Sequence, residues 1–445
     1  MLSTNRFLIN GAGPVGLSIA MLLLEKKHSV EIFEKRSDPR LFSERGRSIN
    51  LALSDRGFRA LGILGLEKLI KTDAAIAMKG RMIHDEAGNT HLQPYSASGK
   101  SIYSVSRSLL NNVLLDEAEK RGLKIHFDQK CTGFDLAKNE IYFENATIST
   151  LNTSVLACDG AFSPLRHTLK TQSNFSHQET KLDYSYKEFT IPAGENGSWK
   201  MEKHALHIWP RKSFMLIALP NTDGSFTCTL FFKSSQIYFT GSQNLKEARA
   251  FFKTHFPDAL ALMLGFEDDF EHNPVSSLFM ETCSPWNFED KLLLLGDAAH
   301  AIVPFYGQGL NAGLEDVRLL FEEMESAKST SLAFSDFQQK RKKDADAIGE
   351  LALQNFVEMR DLVTDDMFLK KKKLESALKK IYQDKWLNQY ELVTFSHSPY
   401  SIAQKQGFEN DHKLELILAN QLLSTHLLED TVTEQDMYLL SSIVL

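Results

Sequence analysis

Cysteine is scarce: four residues in 445, Cys131, Cys158, Cys228 and Cys283. They are scattered without metal-ligand spacing, which argues against a structural metal module. So long a chain needs no disulfide staples, and buried free thiols in a reducing compartment are expected. Positive charge is also in deficit. Fifty Lys and Arg against 57 Asp and Glu leave a formal net charge of −7, the wrong sign for a nucleic-acid partner, which requires a basic footprint. The basic run 370–373 is local and reads as a solvated helix face. No apolar stretch approaches the roughly 18–20 residues of a membrane-crossing helix. The C-terminal run 437–445 is too short and too polar for one and is expected to pack as an amphipathic helix. A strand begins almost at once, at Phe7, Leu8 and Ile9, which leaves no room for a signal peptide, so a cytoplasmic protein is expected. Internal repeats and low-complexity tracts are missing as well.

What is present is an ordinary globular composition, 43% hydrophobic and 24% charged, in a chain long enough for two substantial domains at roughly 150 residues each. Residues 6–10, 15–24 and 30–34 read as strand, helix and strand, which is a βαβ unit with parallel strands. Helical patterning returns around 56–71 and 108–120. Between 174 and 285 short β-rich runs dominate, at 205–209, 214–219 and 226–232. The Asp223-Gly224 step marks a hairpin, so antiparallel sheet is expected there. A buried strand at 292–295 resumes the α/β character, and everything after Gly313 reads as helix. The expected fold class is α/β: a Rossmann-like nucleotide-binding domain (1–173 and 286–330) interrupted by a β-rich substrate domain (174–285), with a C-terminal helical region (331–445).

Gly11, Gly13 and Gly16 form a G-x-G-x-x-G pattern between the first strand and helix. The first glycine allows a tight turn, the second a close approach of pyrophosphate to the backbone, and the third helix–strand packing. The helix N-terminus then offers free N–H groups to phosphate. Glu34, at the end of the next strand, is placed to accept hydrogen bonds from a ribose diol. This motif alone does not choose between NAD and FAD.

Two later motifs do. The run 157–166 (ACDGAFSPLR), with Asp159, resembles the "DG" fingerprint of the single-component flavoprotein aromatic hydroxylases. The run 294–300 (LLGDAAH), with Asp297, resembles their "GD" fingerprint. A glycine-rich loop and helix start, 304–313, follows with Gly309, Leu310 and Asn311. All three stand in family order, and no second Rossmann fingerprint occurs, as in that family. At finer grain the likeness narrows to the members that act on L-kynurenine. It rests on the runs 46–54 (GRSINLALS), 104–107 (SVSR), 226–231 (FTCTLF), 303–313 (VPFYGQGLNAG) and 355–360 (NFVEMR).

The resemblance implies an FAD-dependent monooxygenase that consumes NADPH and O2 and places one oxygen atom on the substrate ring. It implies FAD contacts from Gly11, Gly13, Gly16, Glu34, Ala52, Arg107, Asp159, Asp297, Gly309, Leu310 and Asn311. It also implies a carboxylate clamp at Arg81, whose planar fork suits that role, completed by Tyr95, Asn355 and Tyr390. The ring slot would be built from Leu206, Ile208, Ile217, Leu219, Phe231 and Phe305. Period-two spacing puts Leu206 with Ile208, and Ile217 with Leu219, on one sheet face; core packing is the alternative reading of those positions. Tyr306 stands where the family often has phenylalanine, close to the ring. No acid–base residue and no metal site is assigned, and His300 reads as a packed or capping histidine. From the motifs alone three alternatives stay open: a hydroxylase of another aryl acid or phenol, a peroxide-releasing oxidase, and a non-enzymatic protein on the same fold.

Overall fold

The computed structural model describes residues 5–41, 50–96, 99–236, 239, 244–362 and 365–444, with only the backbone of 360, 361 and 384. Residues 46–49 of the quoted run 46–54 lie outside the described residues.

The parallel sheet has six strands, in the order Asn287–Phe288, Leu292–Leu294, Thr153–Ala157, Arg6–Asn10, Ser29–Phe33 and Lys124–His126. All neighbours run parallel except the short pair at the 287 edge. Thr153–Ala157 is buried at every position, as expected of a strand covered on both faces. The Pro14–Glu25 helix lies on this sheet with residues 16–23 all buried. Gly11 has φ +110°, and a Cβ there would sit 2.3 Å from the Cys158 carbonyl oxygen; one at Gly16 would sit 2.0 Å from the Gly11 carbonyl oxygen. Gly11 makes a left-handed turn against a neighbouring backbone, and Gly16 is a helical residue pressed on the Gly11 carbonyl, so neither position has room for a Cβ.

The second sheet has seven strands: Ser276–Ser284, Ser176–Ile191, Phe226–Lys233, Phe214–Pro220, Ala205–Arg211, Gly80–His84 and Thr90–Pro94. Its strands are antiparallel except where Ala205–Arg211 runs parallel to Gly80–His84. The 80–94 hairpin is therefore part of this sheet although it lies far upstream in sequence. One face packs Phe189, Trp209, Leu216, Phe226, Leu230 and Phe232 against helices Leu245–His255, Pro257–Leu262 and Phe266–His272. On that face His84 bonds both Asp258 (3.0 Å) and His207 (2.9 Å). The other face is covered by the long helix Thr330–Val357, which belongs to the helical C-terminal region.

The four cysteines are free. Burial pushes the thiols of Cys131 and Cys283 up to about 12, so they stay protonated and inert. Among the described residues no helix is long and apolar enough to cross a membrane. In the 370–373 run Lys370, Lys372 and Lys373 are exposed, while Lys371 bridges to Asp411 and Glu415 at 2.7 and 3.1 Å.

The two sheets are joined by buried charge. Arg166, from the run after Asp159, donates to the carbonyls of Ala161 (2.6 Å) and Ala298 (3.0 Å) and to Glu281 (2.8 Å) on the seven-stranded sheet. Both side chains are 2% exposed. Arg166→Ala leaves the Glu281 carboxylate buried and undercompensated, and we expect it to cost about 3–5 kcal/mol of stability in urea unfolding; a loss within error of zero would refute the cross-brace.

Candidate active site between the two sheets

The strand ends of the parallel sheet are in register. Phe33, Asn10, Ala157 and Leu294 sit side by side, so Glu34, Gly11, Asp159 and Gly296 all emerge at one edge. That carboxyl edge is where open α/β sheets bind their ligands. Glu34 is 5% exposed. Its Oε2 accepts from the Ala12 N–H at 2.9 Å and its Oε1 from the Arg36 N–H at 3.0 Å, bracing the turn at Gly11 to Gly13. Asp159 accepts from the Asn10 amide at 3.0 Å through Oδ2. Its Oδ1 is sealed from solvent and makes no well-aligned hydrogen bond among the described residues, although the Ser163 side chain and the Leu165 backbone lie close enough to favour its charged form. Burial pushes the Asp159 carboxyl up to about 6. A buried acceptor without a well-aligned donor is a position made for a ligand's hydroxyl. With the glycine cradle at 11 and 16, these residues fit an FAD, which the start of the Pro14–Glu25 helix and Asp159 would help to hold. Asn10 was missed in the sequence, although its place at the strand end, just before Gly11, was readable.

The other expected cofactor residues are spread around that edge. Asp297 begins the Asp297–His300 turn of helix and is exposed. Arg107 heads the Arg107–Lys120 helix with an exposed side chain. Gly309 and Leu310 open the Gly309–Ser326 helix. The Asn311 side chain is committed to the protein: it donates to the carbonyls of Ala52 (2.7 Å) and Gly307 (2.9 Å) and accepts from the Ser54 N–H (2.9 Å). It thereby ties the Asn50–Leu53 strand, which carries Ala52, to the glycine loop. His300 is buried and bonds Asp316 at 2.6 Å, a packed partner and not a group facing the pocket.

Beyond the glycine loop lies the pocket-facing side of the seven-stranded sheet. Leu206 pairs with Arg81, Ile208 with Ile83 and with Ile217, and Met215 with Phe231. Cross-strand partners share a face, so Arg81 projects with Leu206, Ile208, Ile217, Leu219 and Phe231. Phe305 caps this slot, 4.8 Å from the Phe231 ring and stacked 4.2 Å from Phe356. Phe356, on the 330–357 helix, was not singled out in the sequence because its periodicity reads only as core.

At the polar end the structure brings three tyrosines beside Arg81. Tyr390 is stacked between Tyr95 (5.5 Å) and Tyr306 (5.6 Å). The Arg81 guanidinium lies 5.0 Å from the Tyr390 ring and 5.8 Å from the Tyr95 ring. Arg81 Nε and the Tyr95 hydroxyl are sealed from solvent and make no well-aligned hydrogen bond among the described residues, although Arg81 lies close enough to the Tyr95 and Tyr390 hydroxyls to act on both. Burial works against the charge of Arg81, but the field of Tyr390, Tyr95 and Glu358 holds its guanidinium above the ordinary arginine value. Burial raises all three phenols above their usual range, so they stay neutral donors. Tyr390 owes its aim to a capping box at Asn388 and Glu391 that starts the Gln389–Phe395 helix. Asn355 donates to the Phe305 carbonyl at 2.7 Å, so its amide nitrogen holds the 304–311 loop. Glu358, in the short π-helical turn after Asn355, is the acid within reach of this cation; nothing in the sequence set it apart.

Among the described residues no cluster of His, Cys, Asp and Glu is arranged to hold a metal. The Asp159 carboxyl yields a pH test. Its folded pKa lies above the ordinary 3.8, so it favours the folded state below about pH 4 and loses that contribution as pH rises through about 6. In FAD-free protein, the stability of wild type relative to Asp159→Asn should decline across that window; a flat difference in thermal midpoint would sink the assignment.

Comparison with known proteins places this geometry. The "FAD binding domain" family matches residues 5–331. The kynurenine 3-monooxygenase of Flavobacterium psychrophilum is 40% identical over 449 residues, covering 99% of this chain and 100% of that one. That of Dictyostelium discoideum is 41% identical, covering 94% and 97%. Among solved structures, 2-methyl-3-hydroxypyridine-5-carboxylic acid oxygenase superposes with a TM-score of 0.68 at 16% identity, over 83% of this chain and 96% of that one. Tetracycline destructase Tet(55) gives 0.65 at 16% identity over 90% and 99%; at such identity these two support the fold alone. With full-length relatives near 40% identity and the nucleotide edge, glycine loop and aromatic-walled cation all present, the chain belongs to the kynurenine 3-monooxygenase family of FAD-dependent aromatic hydroxylases.

Proposed function

We propose that the chain hydroxylates L-kynurenine to 3-hydroxykynurenine, using NADPH and O2 as co-substrates. The observation that carries this is a half-buried arginine, Arg81, at the end of an apolar slot, with its Nε sealed from solvent and the stacked phenols of Tyr95, Tyr390 and Tyr306 beside it. The 11–16 turn, Glu34, Asp159 and the 304–311 loop would hold FAD, which would supply the redox chemistry that activates O2.

The side chains divide the rest of the work. Arg81 binds the amino-acid carboxylate through charge-assisted hydrogen bonds, which are stronger than neutral ones. The hydroxyls of Tyr95 and Tyr390 donate beside it, and their raised pKa values keep them from acting as bases. Leu206, Ile208, Ile217, Leu219, Phe231 and Phe305 hold the aryl ring flat and dry. The aniline nitrogen of kynurenine already activates the ring carbon ortho to it, so a strong protein base is not needed. The remaining tasks are orientation and exclusion of water, which otherwise diverts reducing equivalents to hydrogen peroxide. The helices that carry Asn355 and Tyr390 close the slot, and we assign them the water-excluding role.

The direct test mixes purified protein with NADPH in air and follows absorbance loss with and without L-kynurenine, assaying 3-hydroxykynurenine. NADPH consumption stimulated by kynurenine and matched by product is the expected result; a yellow, folded protein without stimulation would discard this substrate. Arg81→Ala should weaken kynurenine binding by about a hundredfold, the size of losing a buried charged partner, while FAD stays bound; unchanged affinity would overturn the clamp.

A further inference from the structure

The C-terminal helices touch the flavin loop at a third point, distinct from Asn355 and Tyr390. Tyr400, the first residue of the Tyr400–Ala419 helix, is fully buried, and its hydroxyl donates to Gln308 Oε1 at 2.9 Å. Gln308 is itself 2% exposed and immediately precedes the Gly309–Ser326 helix, accepting the Ala312 N–H at 2.8 Å through its carbonyl. The ring of Tyr400 is held by two buried cations, the Arg56 guanidinium 4.0 Å away and that of Arg341 5.4 Å away. Each is anchored to the loop's own helix: Arg56 to Glu315 at 2.8 Å, and Arg341 to Asp316 at 2.7 Å and to the Ala312 carbonyl at 3.1 Å. Arg56 also donates to the Val393 carbonyl at 2.8 Å, on the helix that carries Tyr390. A tyrosine needs none of this to fill a core; a phenylalanine in the same clamp would bury the same ring. The hydroxyl is there to meet Gln308.

We propose that Tyr400 is a positioning residue: through Gln308 it makes the conformation of the 304–311 loop depend on docking of the C-terminal helices. Closure of the substrate slot and the seating of the flavin are then one event. With Tyr400 in place, the loop adopts its working shape when Tyr390 closes over Tyr306. Without the hydroxyl, the Gln308 acyl oxygen is a buried acceptor lacking its donor, and the loop relaxes independently of the tail. This inference rests on the FAD-dependent hydroxylase reading above.

The test uses full-length holoprotein and the variants Tyr400→Phe, Gln308→Met and the double variant. Tyr400→Phe keeps the ring between Arg56 and Arg341, so a folded, yellow protein is expected. Its bound flavin should show an altered visible circular dichroism, and peroxide released per NADPH oxidised with kynurenine should rise about tenfold, the scale of one buried hydrogen bond lost. The double variant should match the more severe single variant, because both changes remove the same bond. Wild-type flavin dichroism and coupling in Tyr400→Phe, with only a lowered melting temperature, would overturn the proposal, as would fully additive effects. Should wild type itself ignore kynurenine, the substrate reading fails, while the flavin dichroism of the variants still decides the role of Tyr400.

Discussion

The Asp316 carboxylate is the group on which the rest of the site depends. It is fully buried on the helix behind the glycine loop, and it accepts from the Gly296 N–H (3.0 Å), His300 (2.6 Å) and Arg341 (2.7 Å). Burial alone would raise its pKa, yet His300 and Arg341 outweigh that and hold it below the ordinary carboxylate range. A charge buried this deeply is tolerated only where its partners are fixed, so the three segments that supply them are fixed in turn. These are the turn after Leu292–Leu294, the Asp297–His300 helix and the long Thr330–Val357 helix. The strand-end edge, the helix after the glycine loop and the C-terminal region are thereby registered to one carboxylate.

From that junction the pocket follows by packing. The 330–357 helix lies across the pocket face of the seven-stranded sheet, bringing Phe356 to Phe305 and Asn355 to the Phe305 carbonyl. Tyr390 then falls between Tyr95 and Tyr306. Arg81 shares the acid Glu358 with Lys372, which is paired to Glu375 at 3.2 Å, so neither cation is left without a partner, as the cost of an unpaired charge requires. Beside these charges stand the phenols of Tyr95, Tyr306 and Tyr390, which stay neutral and can donate without adding charge. An environment of this kind suits a reaction whose demands are placement and dryness, with no proton abstraction by the protein.

Much of the fold was legible because it is written in local chemistry. The Arg6–Asn10 strand, the Pro14–Glu25 helix and the three strands of 205–233 follow from apolar periodicity and turn residues that act over a few positions. The helices between Leu245 and His272 and the 16-residue strand Ser176–Ile191 were not read out. The strand carries His177, Gln178, Glu179, Thr180 and Lys181, a polar stretch whose strand state is dictated by its neighbours. The 80–94 hairpin likewise looks local in sequence, and its membership of the second sheet depends on a parallel pairing with residues 205–208.

For the site the division has the same cause. Gly11, Gly16 and Asp159 were legible as candidates in the sequence itself, because the strand–glycine–helix pattern is local, and both glycines sit where a Cβ would strike a carbonyl. The resemblance added names for Arg81, Tyr95, Asn355 and Tyr390, but no spacing rule connects residues separated by some 300 positions. Tertiary structure alone decided that Tyr95, Tyr390 and Tyr306 stack beside Arg81, that the Asn311 side chain ties the Asn50–Leu53 strand to the glycine loop, and that Tyr400 reaches Gln308. Those are contacts between surfaces that meet only after both sheets and the C-terminal helices have packed. Periodicity identifies which face of an element is apolar, whereas which other face it meets is settled by the packing of the whole chain.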